Sequence, residues 1–250
     1  MKLEIKIRYY HLSKFIIFIL ITSIISCNPD NCFKSTGNSV SIIRQLDSFR
    51  EIEINDLFTV NISYDTMPHV LIVGGANLVP DVETKVIDNR LIIKDNNSCN
   101  WLRSFQRIQI VIYNDSLDCL VVNGQSDVFS TDSLRSRELV LDVFSGISKI
   151  DMVLNCNSFL FNLNAGTGNY TFKGKAGIAY FYVLGTGFLI ADNLITGYTF
   201  ITSNTTGDCY IMATKEVYAK ILDNGDIYYS GDPYLVNSVI TGSGKLIKLD

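Results

Sequence analysis

The strongest constraint on how this chain can fold is a repeat of about 20 residues running from Leu139 to Lys248. Leu141, Phe161, Phe181, Ile201 and Ile221 follow one another at intervals of 20, each a few residues before a glycine turn. From Gly124 the turn glycines recur at Gly146, Gly168, Gly187, Gly207, Gly225 and Gly244, with spacings of 22, 22, 19, 20, 18 and 19. Units repeated at such a period cannot bury an apolar face alone and must stack on their neighbours. Apolar pairs such as Leu141/Val143, Phe161/Leu163 and Phe181/Val183 precede the turns, and Tyr170, Leu189, Cys209, Ile227 or Leu246 follows most of them. Alternation with a period of two marks a strand buried on one face. Twenty residues at about 3.3 Å each trace roughly 66 Å, enough for one three-sided coil stacked about 4.8 Å from the next. The expected fold is all-β: a parallel, right-handed β-helix, or solenoid, with about 20 residues per coil. Glycines at its corners would allow positive φ and close stacking of backbones. An antiparallel β-sandwich is the alternative, because turn signals also recur at shorter spacing.

Strand patterns begin well before the repeat. Glu51–Ile54, Phe58–Ile62 and Val70–Val73 alternate, as does Arg107–Tyr113, which leads into Leu120–Val122. Val82–Val86 and Leu91–Lys94 flank Asp88-Asn89, a dipeptide suited to the positive φ angles of a hairpin turn. The stretch from Asp95 to Arg103, with the single Trp101, is an irregular insertion. No segment carries a sustained helical period.

The N-terminus reads as an export signal. Lys2, Lys6, Arg8 and Lys14 precede an apolar run from Phe15 to Ile25, too short to span about 30 Å of hydrocarbon comfortably. Ile24-Ile25-Ser26-Cys27 resembles the bacterial lipobox, which makes Cys27 the expected lipidated first residue of the mature protein. The expected organisation is a signal peptide over 1–26, a polar tether over 27–46 and a β-helical domain over 47–250. The expected location is the cell envelope, at the outer membrane, with Cys27 as the link to the bilayer.

The formal charge of −4 includes that cationic signal, and removing its net +3 leaves about −7. Such acidity argues against nucleic acid as a partner, since phosphate binding needs clustered lysine and arginine. Beyond Cys27, five cysteines remain (Cys32, Cys99, Cys119, Cys156 and Cys209), an odd number with no CxxC spacing. A complete disulfide framework and the common thiolate zinc sites are thereby excluded, and Cys209 falls at an apolar position of the repeat.

Gly225-Asp-Ile-Tyr-Tyr-Ser-Gly-Asp-Pro233 followed by Thr241-Gly-Ser-Gly-Lys245 resembles the C-terminal signature of the head GIN domain family, auto-transporter adhesin-like lipoproteins of Bacteroidetes-type bacteria. Phe58–Ile62, Leu71–Gly74, Val82–Val86 with Leu91–Ile93, and Leu120–Gly124 agree with it. The chain departs from the family pattern at Ser203–Gly207 and at Gly146, which lacks a paired glycine. The resemblance implies a β-helical extracytoplasmic domain with an adhesion role, and it brings no catalytic residues.

The side chains available for chemistry point the same way. The chain holds two histidines, His11 in the signal and His69 after Pro68, which argues against a Ser-His-Asp triad and against a multi-histidine metal site; His69 reads as a solvated loop residue. A glycan-processing β-helix enzyme would need clustered carboxylates with a nearby lysine; the candidates are Asp192, Asp208, Asp223, Asp226 and Asp232 with Lys173, Lys175 and Lys220. Asp208 and Asp226 occupy equivalent places after their glycines and are the weak metal candidates, though the same residues suit turns. No cofactor is expected. Tyr180, Tyr182, Tyr198 and Phe200 alternate with Phe181 and Ile201 and so fall on the opposite face. Such an exposed aromatic face is the candidate contact surface for a glycan, a protein or a second copy of the chain.

Overall fold

A computed structural model describes residues 35–97, 107–144 and 146–249, and of these all but Ser35 and Asn97 belong to one compact unit. The expected export signal over 1–26, Cys27, Cys32, Cys99 and Trp101 lie outside the described residues. The unit is a parallel β-solenoid of about six turns with coils about 20 residues apart, not a sandwich. Its only helical element among the described residues is a single turn at Val79–Asp81.

Two long sides carry most of the strand pairing. Along the first side the stack runs β6 (Arg90–Asp95), β2 (Glu51–Ile54), β8 (Cys119–Val122), then the C-terminal halves of β10 (Leu134–Val143), β11 (Ile147–Leu163), β12 (Thr167–Gly185) and β13 (Phe188–Thr205), and last β15 (Glu216–Ile221) and β17 (Leu235–Ile240), all parallel. Along the second it runs β7 (Ile108–Asn114), β3 (Phe58–Tyr64), β9 (Asp127–Ser130), the N-terminal halves of β11, β12 and β13, then β14 (Cys209–Met212), β16 (Ile227–Ser230) and β18 (Leu246–Lys248). The middle of the long strands forms a short third side, where Leu134, Leu154, Gly174 and Leu194 stack.

The N-terminal end of the stack is closed by antiparallel strands. β4 (His69–Gly75) pairs antiparallel with β7, and β1 (Ser39–Gln45) pairs antiparallel with β4. On the first side β5 (Val82–Ile87) pairs antiparallel with β6 through Asp88 and Asn89, whose φ angles of 47° and 67° suit the tight hairpin. Arg44 of β1 ties this cap together, donating to the carbonyls of Val82 and Val79 and to Thr84 Oγ1. The expected tether is therefore shorter than 27–46: residues 39–45 are a paired strand, because β4 offers a sheet edge that satisfies their backbone groups. His69 likewise opens β4 and stacks on Tyr113 with ring centroids 4.2 Å apart, where a solvated loop residue was expected.

The core is a set of columns running along the axis. Leu91, Ile52, Leu120, Leu141, Phe161, Phe181, Ile201 and Ala219 form one of them, all buried. Ile221 does not continue it, because the coil before it is 18 residues long and Ala219 takes the expected place. Ile221 instead continues the column of Leu163, Val183 and Ser203, in which Ser203 is fully buried. Five rings from neighbouring coils, Phe159, Phe161, Tyr170, Phe172 and Phe181, pack with centroids 4.9–6.5 Å apart. Cys209 is fully buried, and burial pushes its thiol up to about 12 and that of Cys156 to about 11. Both behave as small apolar core residues.

Candidate functional site: an aromatic outer face

Side-chain alternation on the first side works as the sequence suggests. Phe181 and Ile201 are 1% and 2% exposed, while Tyr180, Tyr182, Tyr198 and Phe200 point outward from the same strands. The register divides them among adjacent rows. Leu160, Tyr180, Phe200 and Tyr218 share the central row; Ile178 and Tyr198 lead to Glu216 and Leu235 on one flank; Asn162 and Tyr182 lead to Thr202 and Lys220 on the other.

Tyr180 and Phe200 stack at 5.1 Å with an interplanar angle of 14°, and Tyr218 continues the row at 6.4 Å and 37°. Tyr198 carries Lys215 Nζ 5.2 Å from its ring centre, a cation–π contact. Tyr234 Oη donates to Glu216 Oε1 at 2.8 Å, and that bond, aided by the nearby charge, pushes its phenol up to about 12. Tyr182 and Tyr218 are 47% and 45% exposed, so the strip has open apolar area at its centre and on one flank. Tyr218 belongs to the face as fully as the four residues marked by alternation around Phe181. Its place depends on the 18-residue coil that aligns it with Phe200, which an even 20-residue period does not reveal.

The stacked pair has a consequence for recognition. Rings packed face to face along the axis spend their faces on one another and turn edges and hydroxyls to solvent. A sugar ring docks on an exposed aromatic face, whereas a protein surface can pack on edges, gaps and phenol groups alike.

Each of the acidic candidates is engaged in a hydrogen bond or an ion pair. Asp208 Oδ1 accepts the backbone N–H of Asp226 at 3.1 Å, and Asp226 Oδ1 accepts that of Lys245 at 2.7 Å. These carboxylates thus tie one coil corner to the next, as turn chemistry predicts. Lys173 pairs with Asp151 at 2.9 Å and Asp232 with Lys248 at 2.9 Å. Among the described residues no group of three or more His, Cys, Asp or Glu side chains could hold a metal ion. On the second side Tyr210 and Tyr228 stack at 4.9 Å beside Asp208 and Asp226, and burial, followed by those charges, raises the Tyr228 phenol.

A three-sided parallel solenoid, capped by antiparallel strands at its N-terminal end and carrying a row of aromatic residues on one outer side, is the class of protein these features define. Residues 48–233 match the model of the family described as putative auto-transporter adhesin, head GIN domain. The chain belongs to that family. Solved structures repeat the fold. A protein described as a putative adhesin from Bacteroides fragilis is 21% identical, with a TM-score of 0.77 over 85% of this chain and 97% of its own. A putative adhesin from Parabacteroides merdae is 18% identical (TM-score 0.61; 86% and 98% covered). A protein described as a putative lipid binding protein from Parabacteroides distasonis is also 18% identical (TM-score 0.66; 86% and 98% covered). No curated protein matches the chain. The description of the family fits an adhesion role at the cell envelope or outside the cell.

Proposed function

We propose that this protein is a lipid-anchored adhesin of the cell envelope that binds a protein ligand through its aromatic outer side, without catalysis. The observation that carries the reading is the row Tyr180, Phe200 and Tyr218 with Tyr182 and Tyr198 on its flanks, an aromatic surface on a rigid sheet rather than a sheltered groove with an acid and a base. The alternative, a glycan-processing enzyme, needs carboxylates free to move protons, and Asp208 and Asp226 are held by backbone N–H groups instead. Ring stacking within the row favours a protein ligand over a glycan. The test is binding of the exported protein, purified in detergent, to arrays of glycans and of extracellular-matrix and cell-surface proteins. A Tyr180→Ser, Tyr182→Ser double variant should keep its far-UV circular dichroism and lose at least about tenfold in affinity, as hot-spot aromatic residues do. Unchanged binding by that variant, or release of reducing ends from any polysaccharide by the parent, would refute the reading.

Anchoring rests on the lipobox-like Ile24–Cys27 and on where the chain enters the solenoid. β1 starts at Ser39, so the residues after Cys27 can hold the capped end at most about 40 Å from the bilayer. In the native host the mature N-terminus should be Cys27 carrying acyl chains, read by mass spectrometry, and Cys27→Ala should move the protein from the detergent phase to the aqueous phase. A Cys27→Ala form that stays with the membrane contradicts the anchor.

A further inference from the structure

The two ends of the solenoid are built differently. At the N-terminal end the first side finishes in β5, whose sequence Val82-Glu-Thr-Lys-Val-Ile87 places two charges on the edge, and charged residues are a common protection of sheet edges. At the C-terminal end the same side finishes in β17, Leu235-Val-Asn-Ser-Val-Ile240, which has no charge and is exposed along its whole length. Val236, Ser238 and Ile240 continue the core columns of Val217, Ala219 and Ile221. The residues they cover are at most 1% exposed, while Val236 and Ile240 are 37% and 45% exposed, with no further coil over them among the described residues. Leu235 N donates to Lys215 O and Thr241 N to Ile221 O, so the odd-numbered residues of β17 turn their backbone groups to β15. The N–H and C=O groups of Val236, Ser238 and Ile240 face the open edge.

We propose that two copies of this chain associate end to end by antiparallel pairing of β17 with β17, about a two-fold axis passing through Ser238. In that register Val236 lies opposite Ile240 of the second copy, and Ser238 lies opposite itself. The residues with unpaired edge groups, Val236, Ser238 and Ile240, then each donate to and accept from the second copy, and their side chains meet as one continuous apolar layer. A shift by one residue would oppose inward to outward side chains, and a shift by two would leave some of the edge unpaired. The axis also exchanges the two corners that flank β17. The Asp232 carboxylate, which pairs with Lys248 of its own chain yet keeps a side chain 96% exposed, is thereby brought to the corner that carries the exposed Lys245 of the second copy, so the charges that meet at the rim are opposite in sign. Head-to-tail stacking lacks this match, since it sets β17 against the charged edge of β5. The dimer leaves β1 at its two poles. For chains anchored as proposed above that is a bridge between two surfaces, although the association itself does not depend on the anchor.

Sedimentation velocity of the full chain in detergent micelles, with the mass of bound detergent subtracted, should show a monomer–dimer equilibrium that shifts with concentration. Ser238→Cys should form a disulfide-linked dimer on mild oxidation, because directly opposed residues of a hydrogen-bonded antiparallel pair have Cα atoms about 5.5 Å apart, and the parent should not. Val236→Lys and Ile240→Lys, at positions already 37% and 45% exposed in the single chain, should each weaken the dimer about tenfold or more, since a charge pointing into the shared apolar layer blocks pairing at an edge. A parent that stays monomeric at every concentration overturns the proposal. So does a dimer that fails to crosslink through Ser238→Cys or that does not respond to Val236→Lys and Ile240→Lys, because its contact then lies elsewhere.

Discussion

Phe181→Ala should lower the unfolding free energy by about 3–5 kcal/mol, the cost of truncating a buried aromatic residue and leaving a cavity. Phe181 is 1% exposed, lies between Phe161 and Ile201 in its column, and meets Phe159 and Phe172 with ring centroids 6.0 and 6.5 Å away. Its loss removes rungs from both neighbouring coils, and a solenoid has no second core on which to redistribute them. Tyr180→Ala is the control one residue away. That ring is half-buried and touches Phe200 on the outer side, so its removal should cost only about 0.5–1.5 kcal/mol, the scale of an aromatic pair. Urea titrations of both variants decide the matter through their midpoints at constant slope. Equal losses would mean that the outer side is covered as fully as the inner one.

How much of this was legible in the sequence depended on whether a feature repeats. Leu141, Phe161, Phe181 and Ile201 do form one column, because side-chain alternation and a steady coil length are both written into the residues. Ile221 breaks the extrapolation: the shorter corner between Ile201 and Ala219 moves the residues of β15 by two places, a shift that preserves inward and outward faces and so leaves no trace in the pattern there. The same slip hid Tyr218, which completes the row of Tyr180 and Phe200. The hairpin over Val82–Asp95 was legible through Asp88-Asn89, since a local turn chemistry specifies it. The order of the first coils was not. β2 and β3 are the first strands of the chain to form a coil but lie second in the stack, between the coil of β6 and β7 and that of β8 and β9. Which edge a strand joins is a long-range choice, and alternation says only that it has a face to bury. β1 was missed for a related reason: Ser39–Gln45 is mostly exposed, so its strand character comes from hydrogen bonds to β4 and not from an apolar pattern.

Gly207→Ala should cost about 3 kcal/mol, towards the upper end of what overpacking a filled site costs. The turn glycines suggested positive φ, yet Gly207 is not among the positive-φ residues, and what requires glycine there is distance. A Cβ on Gly207 would stand 2.3 Å from the carbonyl oxygen of Gly187 and 2.9 Å from its carbon, both backbone atoms that no side-chain rotation can move. The same contact recurs at Gly225 against Gly207 and at Gly244 against Gly225, at 2.4 and 2.2 Å, so this corner is a column of glycines each resting on the carbonyl below. Thr205 Oγ1 fixes the spacing by donating to Gly187 O and accepting from Gly207 N, at 3.3 and 3.0 Å. An added methyl must therefore push neighbouring coils apart, lengthening the backbone hydrogen bonds of both. Gly146 serves as the control: it occupies the same place in the sequence repeat, but a Cβ there would meet nothing within 4 Å. Gly146→Ala should be neutral or slightly stabilising, because alanine restricts the unfolded chain more than glycine does. Thermal and urea unfolding of the two variants should separate by at least about 2 kcal/mol. If Gly207→Ala proves as harmless as Gly146→Ala, the coils are not held apart by backbone contact at this corner, and the glycine spacing is a matter of turn preference alone.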